Sequence, residues 1–260
     1  MTAMLQFLDC PSPAGQVKIA VQNRSGKAPA IVWVGGFMSD MTSTKAAALD
    51  ALAERTGRAC VRFDYSGHGV SGGAFTDGTI GAWLEQTVAV IERFAGPRPI
   101  LVGSSMGGWI SLLATLRLKA AGSPHHPAGL VLIAPAVDFT ERLMWAAFSD
   151  DIRTQILTTG QWLRPSAYSE TPYPITRALI EEGRSHLLYG KPFHLGCPVH
   201  ILQGGQDPDV PQAHALKLVE HLPQDAVTVT LIPDGNHRLS RDEDIETLVR
   251  ITGGMADAAA

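Results

Sequence analysis

The tightest constraint on this chain is one stretch near its middle, Pro99-Ile100-Leu101-Val102-Gly103-Ser104-Ser105-Met106-Gly107-Gly108-Trp109-Ile110-Ser111-Leu112-Leu113. An apolar run that stops at Gly103 reads as a buried strand. Trp109, Leu112, Leu113 and Leu116 then recur at helical spacing, so a strand must turn directly into a helix. The turn has the form Gly-x-Ser-x-Gly around Ser105. Flanking glycines keep side-chain atoms from colliding as the chain doubles back, and the serine at the apex points its hydroxyl out of the sheet. Taken alone, five residues also fit a glycine-rich turn with an idle serine. The strand before and the helix after favour a nucleophile.

The same rhythm runs along most of the chain. Residues 4–10 and 16–22 alternate around a turn cluster at 11–15, as an antiparallel hairpin does. A continuous apolar run at 30–34 suits a strand covered on both faces, and 59–63 and 129–134 read as further strands. Helical spacing fills 44–55, closed by Gly57, and 79–94, stopped by Gly96-Pro97. Strands at 198–202 and 227–232 follow, and Ser240-Arg241-Asp242-Glu243 has the form of a capping box opening a last helix. The class is α/β: a mostly parallel, twisted central sheet flanked by helices, in a single domain over residues 1–260. Residues 138–195 break the rhythm. Leu143, Met144, Ala147, Phe148, Ile152 and Ile156 keep helical spacing with no clear strand, which predicts an inserted helical cap.

Composition narrows the function classes. With 260 residues, 45% hydrophobic and 18% charged, the chain can bury a substantial core. No apolar stretch reaches membrane-spanning length. A net charge of −4 without acidic or basic blocks offers no footprint for nucleic acid. Cys10, Cys60 and Cys197 are too few and too scattered for a disulfide framework, which suits a reducing compartment. Residues 1–15 carry neither a basic start nor a sustained apolar run, so the expected address is cytoplasmic. His125 and His126 read as solvated, and no spacing of Cys, His, Asp and Glu predicts a metal site or a cofactor.

Two further positions carry chemistry. Asp207 follows the strand at 198–202, at the sheet face where ligands bind. It is the candidate acid, with Asp209 as a rival beside the next helix start. His237 lies on the loop after the last strand, where a base can reach Ser105 while a carboxylate holds its other nitrogen. His68 and Asp64, among close glycines, read as structural, and His200 as a hydrogen-bonded core histidine. The backbone N–H groups of Phe37 and Met106 are the candidate oxyanion donors. Gly36 and the cap aromatics Trp145, Phe148 and Trp162 are candidate substrate contacts, with Tyr168, Tyr173 and Tyr189 nearby in sequence. The same aromatics would also serve to hold the cap on the sheet.

Serine, then acid, then histidine is the chain order of the α/β-hydrolases, and from Ala30 to about Ile251 the chain resembles that superfamily. More narrowly, Arg62-Phe63-Asp64-Tyr65-Ser66-Gly67 and Leu101 to Trp109 are similar to the abhydrolase branch that includes an animal mitochondrial palmitoyl-protein thioesterase, also an acyl-glucuronide esterase. The resemblance implies a serine hydrolase whose partner is a small-molecule acyl ester or thioester, cleaved through an acyl-enzyme. Carbon–carbon, peptide or amide hydrolysis on the same triad, or non-catalytic binding of a small molecule, are the alternatives. One departure stands out. Many superfamily members have His-Gly where this chain has Gly35-Gly36, so its oxyanion loop lacks the histidine that often braces it.

Overall fold

In the computed structural model, which describes residues 3–165 and 172–260, the apolar runs become strands of one sheet and helices fill the intervals. The chain opens with a hairpin of β1 (Met4–Ser12) and β2 (Gly15–Arg24). Strands and helices then alternate through β3 (Lys27–Val34), α1 (Thr44–Thr56), β4 (Arg58–Phe63), α2 (Ile80–Phe94), β5 (Ile100–Ser104), α3 (Met106–Ala120) and β6 (Gly129–Ile133). An insertion carries α4 (Asp150–Thr159), β7 (Gln161–Arg164), β8 (Tyr173–Thr176) and α5 (Arg177–Gly183). The chain ends through β9 (Val199–Gly204), α6 (Gln212–Glu220), β10 (Val227–Ile232) and α7 (Asp242–Ala258).

Strand order in the main sheet is β1-β2-β4-β3-β5-β6-β9-β10. From β4 to β10 the neighbours pair parallel, and the hairpin joins antiparallel at β2. Period-two alternation divides the central strands between two cores. Val32, Leu101, Leu130 and Ile201 pack on one face with Trp83, Ile91 and Trp109 from α2 and α3. Ile31, Val102, Val131 and Leu202 pack on the other with Leu49, Leu52 and Leu248 from α1 and α7. Both faces are therefore dry, which is why these strands read as unbroken apolar runs. Among the described residues no helix is long and apolar enough to cross a membrane. All three cysteines are buried and unbridged.

Several local expectations change. The insertion is not purely helical: β7 and β8 pair antiparallel, with Trp162 opposite Ile175. Four-residue strands, one containing Pro174, are too short to show a period of two. Tyr168 lies outside the described residues. The insertion is fastened at its root by Asp138, whose buried carboxylate accepts from Leu188 N at 2.7 Å and Tyr189 N at 2.9 Å. His125 and His126 are half-buried rather than solvated, tied to the carbonyls of Gly96 and Leu195 at 2.8 and 2.9 Å. The capping box is shifted by one residue. Asp244, not Glu243, reaches back to the Arg241 N–H at 3.1 Å, and Ser240 donates to Arg238 O instead. An arginine has no acceptor to complete the box, so only this half exists.

Candidate active site

β5 ends at Ser104 and α3 starts at Met106, leaving Ser105 alone to make the turn at φ 53°, ψ −117°. A residue with a side chain rarely adopts that conformation, and holding it costs on the order of 1–3 kcal/mol. Neighbouring backbone holds it: Ser105 N–H donates to Ile133 O at 2.8 Å, and Ser105 O accepts from Gly108 N and Ala136 N at 2.9 and 3.1 Å. The glycines are steric necessities. A Cβ at Gly107 would collide with Val34 O and Gly35 O, and one at Gly103 with Gly107 O and Ser111 Oγ.

The acid and base follow β9 and β10, beyond β6 in the parallel sheet. β9 delivers Asp207, whose side chain is fully buried and whose Oδ1 accepts from Asp209 N and Val210 N at 2.9 and 2.8 Å. Its Oδ2 lies 2.8 Å from His237 Nδ1 and 3.4 Å from Gln203 Nε2. His237, on the loop after β10, places Nε2 3.0 Å from Ser105 Oγ. A carboxylate only accepts, so Nδ1 carries the proton and Nε2 is left to accept from the serine hydroxyl. The loop carrying His237 is itself pinned. Asn236 Oδ1 accepts from Arg238 N at 3.0 Å, and Lys45 Nζ donates to Arg238 O. Burial pulls the Lys45 ammonium down to about 8.

The three residues expected from sequence are thus brought into one hydrogen-bonded line, and Asp207 rather than Asp209 faces His237 Nδ1. Asp209 contributes its backbone N–H to Asp207. Its carboxylate also lies in a group with Asp207 and His237 whose ligand atoms fall within 4.8 Å of one another, a clustering that linear spacing did not reveal. Both nitrogens of His237 and both oxygens of Asp207 are already engaged in hydrogen bonds within the protein.

Beyond β3, residues 35–41 form a loop beside Ser105. A Cβ at Gly36 would stand 3.2 Å from Ser104 O and 3.5 Å from Ser105 Cβ, so the loop touches the elbow closely. Among the described residues, the N–H groups of Phe37 and Met106 donate to no protein acceptor. The Phe37 ring sits among Phe75, Trp83, Phe139 and Tyr173 at centroid distances of 5.0, 6.0, 5.8 and 5.7 Å. Tyr173 belongs to the insertion, which therefore roofs the loop. Of the expected cap contacts, Trp145 stacks under Arg153 and Arg184, and Phe148 packs edge-on against Trp162 at 5.2 Å.

β4 and the segment after it hold this loop through four hydrogen bonds. Tyr65 OH donates to Gly35 O at 3.2 Å, and Met38 N–H donates to His68 Nε2 at 3.2 Å. Met41 N–H donates to Asp64 Oδ1 at 2.7 Å, and Arg62 Nη1 donates to Met41 O at 3.0 Å. Structural roles for Asp64 and His68 were legible from their glycine-rich turn. Their target was not, because partners some thirty residues apart leave no local pattern.

The chain is similar to known proteins over nearly its whole length. The model of the alpha/beta hydrolase family matches residues 31–251. Human mitochondrial palmitoyl-protein thioesterase ABHD10 is 32% identical over 254 residues, covering 97% of this chain and 80% of the relative. A putative hydrolase from Agrobacterium vitis S4 superimposes with a TM-score of 0.95 at 46% identity, covering 98% of this chain and 100% of the other. Mouse alpha/beta hydrolase domain-containing protein 10 does so with a TM-score of 0.87 at 31% identity, over 99% and 100%. The curated relatives are named as mitochondrial, which overturns the cytoplasmic expectation. Addresses are carried by segments separate from the folded domain, so a domain's composition does not report them. The chain belongs to the alpha/beta hydrolase family, as a hydrolase related to palmitoyl-protein thioesterase ABHD10.

Proposed function

We propose that this hydrolase cleaves carboxylic esters and thioesters through an acyl-enzyme on Ser105. His237 Nε2 takes the hydroxyl proton as Ser105 Oγ attacks the carbonyl, and the Phe37 and Met106 amides hold the oxyanion. His237 then hands its proton to the departing alkoxide or thiolate. Water, activated by the same imidazole, releases the acid, while Asp207 keeps His237 oriented and stabilises its charged form. The observation that carries this reading is the line from Ser105 Oγ to His237 at 3.0 Å and on to buried Asp207 at 2.8 Å. The thioesterase name of the relatives favours acyl thioesters. An apolar acyl chain would lie along the ring surface that starts at Phe37 and continues through Tyr173 toward β7, the strand of Trp162.

A fluorophosphonate probe tests the assignment, because only an activated serine reacts with it. The wild-type protein is expected to label and Ser105→Ala is not. Hydrolysis of medium-chain acyl thioesters is expected to fall on the order of 10⁴- to 10⁶-fold in Ser105→Ala. A folded Ser105→Ala protein with wild-type turnover overturns the proposal.

A further inference from the structure

The loop that offers the Phe37 amide is not in a relaxed conformation. Ser39 N–H closes on Gly36 O at 3.2 Å, making 36–39 a four-residue turn with Phe37 and Met38 at its centre. Phe37 keeps a negative φ while Met38 takes +58°, the sign pattern of a type II turn. That turn normally places glycine or asparagine third, and methionine there is strained. Flipping the central Phe37–Met38 peptide would give a type I turn and relieve the strain. Something must hold the peptide over.

The holding group is the acceptor on the Met38 N–H, which is the N–H of that central peptide. His68 Nε2 accepts it at 3.2 Å, while His68 Nδ1 lies 3.1 Å from Ser66 O. A carbonyl only accepts and an amide only donates, so these two partners together fix one neutral tautomer, with the proton on Nδ1. A flipped peptide would turn the Phe37 carbonyl toward the Nε2 lone pair, and repulsion opposes it. Ser66 in turn is anchored to α2: its N–H donates to Gln86 Oε1 at 2.9 Å, its Oγ accepts from Gln86 Nε2 at 2.9 Å, and its carbonyl also accepts from Trp83 Nε1 at 3.2 Å. Edge-on rings of Tyr65, Phe75 and Trp83, with centroids 5.1–5.5 Å away, box the imidazole. Burial pulls it down to about 4, so the neutral form persists at ordinary pH.

We propose that His68 is a positioning residue of the oxyanion hole: by accepting from the Met38 N–H it ties the 36–39 turn, and with it the adjoining Phe37 N–H, to the turn after β4. This rests on the oxyanion role given above to Phe37. His68 here supplies from the β4 turn the brace that Gly35 cannot.

Two variants test it, with kcat and KM on an ester substrate and affinity for an alkyl boronic acid, whose serine adduct mimics the tetrahedral oxyanion. His68→Leu removes the acceptor and is expected to lower kcat and boronate affinity together, roughly 10- to 100-fold, with KM little changed. His68→Gln, which can place an oxygen near the Nε2 position, is expected to recover most of the loss. Nitrogen NMR of the wild-type histidines at pH 7 keeps the test alive if a variant misfolds. It should show His68 neutral with Nε2 bare, and an imidazolium or a proton on Nε2 overturns the proposal. So does a folded His68→Leu with wild-type kcat, or a His68→Gln no better than it. Absence of fluorophosphonate labelling in the wild type would instead sink the hydrolase reading itself, whatever the His68 variants do.

Discussion

Two turns flank the Ser105 hydroxyl, and both hold a residue with a side chain at positive φ, Ser105 at 53° and Met38 at 58°. They are held in opposite ways. The elbow is held by lack of space: its glycines are closed in by the backbone of Val34, Gly35 and Gly107. The loop at 35–41 is held by side chains that reach it from β4 and the turn after it, at Gly35, Met38 and Met41. Steric confinement tolerates almost no change and depends little on conditions. A hydrogen-bonded brace tolerates more, and it depends on the protonation state of its members.

The largest effect expected from this contrast is at Gly107. Gly107→Ala drives a methyl group into two carbonyl oxygens that cannot move aside, and should cost about 3 kcal/mol by denaturant unfolding. An unchanged midpoint would mean that the elbow has slack. Acid should act on the other turn. The unfolded His68 imidazole takes a proton below about 6.5, whereas the folded one resists until about 4, so stability falls as pH drops through that interval. Its ring neighbours Tyr65, Phe75 and Trp83 are uncharged there. The loss should reach about 2 kcal/mol by pH 5. His68→Gln should remove that part of the slope, and parallel pH profiles for wild type and variant would break the argument. The smallest effect is at Met38, which is exposed and packs little. Met38→Gly should raise stability by up to about 1 kcal/mol, the reverse of what replacing a glycine does at the elbow. A loss there would show that Met38 is not strained.

The same contrast explains what the sequence made legible. Everything that shapes the elbow lies within a few residues of Ser105, so a local pattern reports it. Asp207 and His237 were legible because each directly follows an apolar strand run, and in a parallel sheet those ends meet at one face. The choice of Asp207 over Asp209 rests on the strand end as well, since Asp209 stands two residues further along the chain, closer to the start of α6. Four braces on the loop at 35–41, by contrast, reach it from another strand and its turn, and no spacing rule encodes that crossing. The β7–β8 pair was hidden by its length, and the ring of Tyr173 over Phe37 is a consequence of that pair. For α7 a carboxylate reaching back in the first turn was expected, but the register was off by one, as helix ends often are, and Arg241 stands where the serine was expected.

Ser105 and His237 stand 132 residues apart in the chain, and the hydrogen bond between them spans β5, β6, β9 and β10. Turnover is thus a gauge of folding as well as of chemistry. Loss of the β9–β10 edge would leave the elbow intact and the enzyme silent, so under rising denaturant the hydrolysis rate should follow whichever cooperative unit departs first. Measured beside the fluorescence of Trp33 and Trp83, which lie in the opposite half of the sheet and its flanking helix, such a titration would tell whether the two halves let go together.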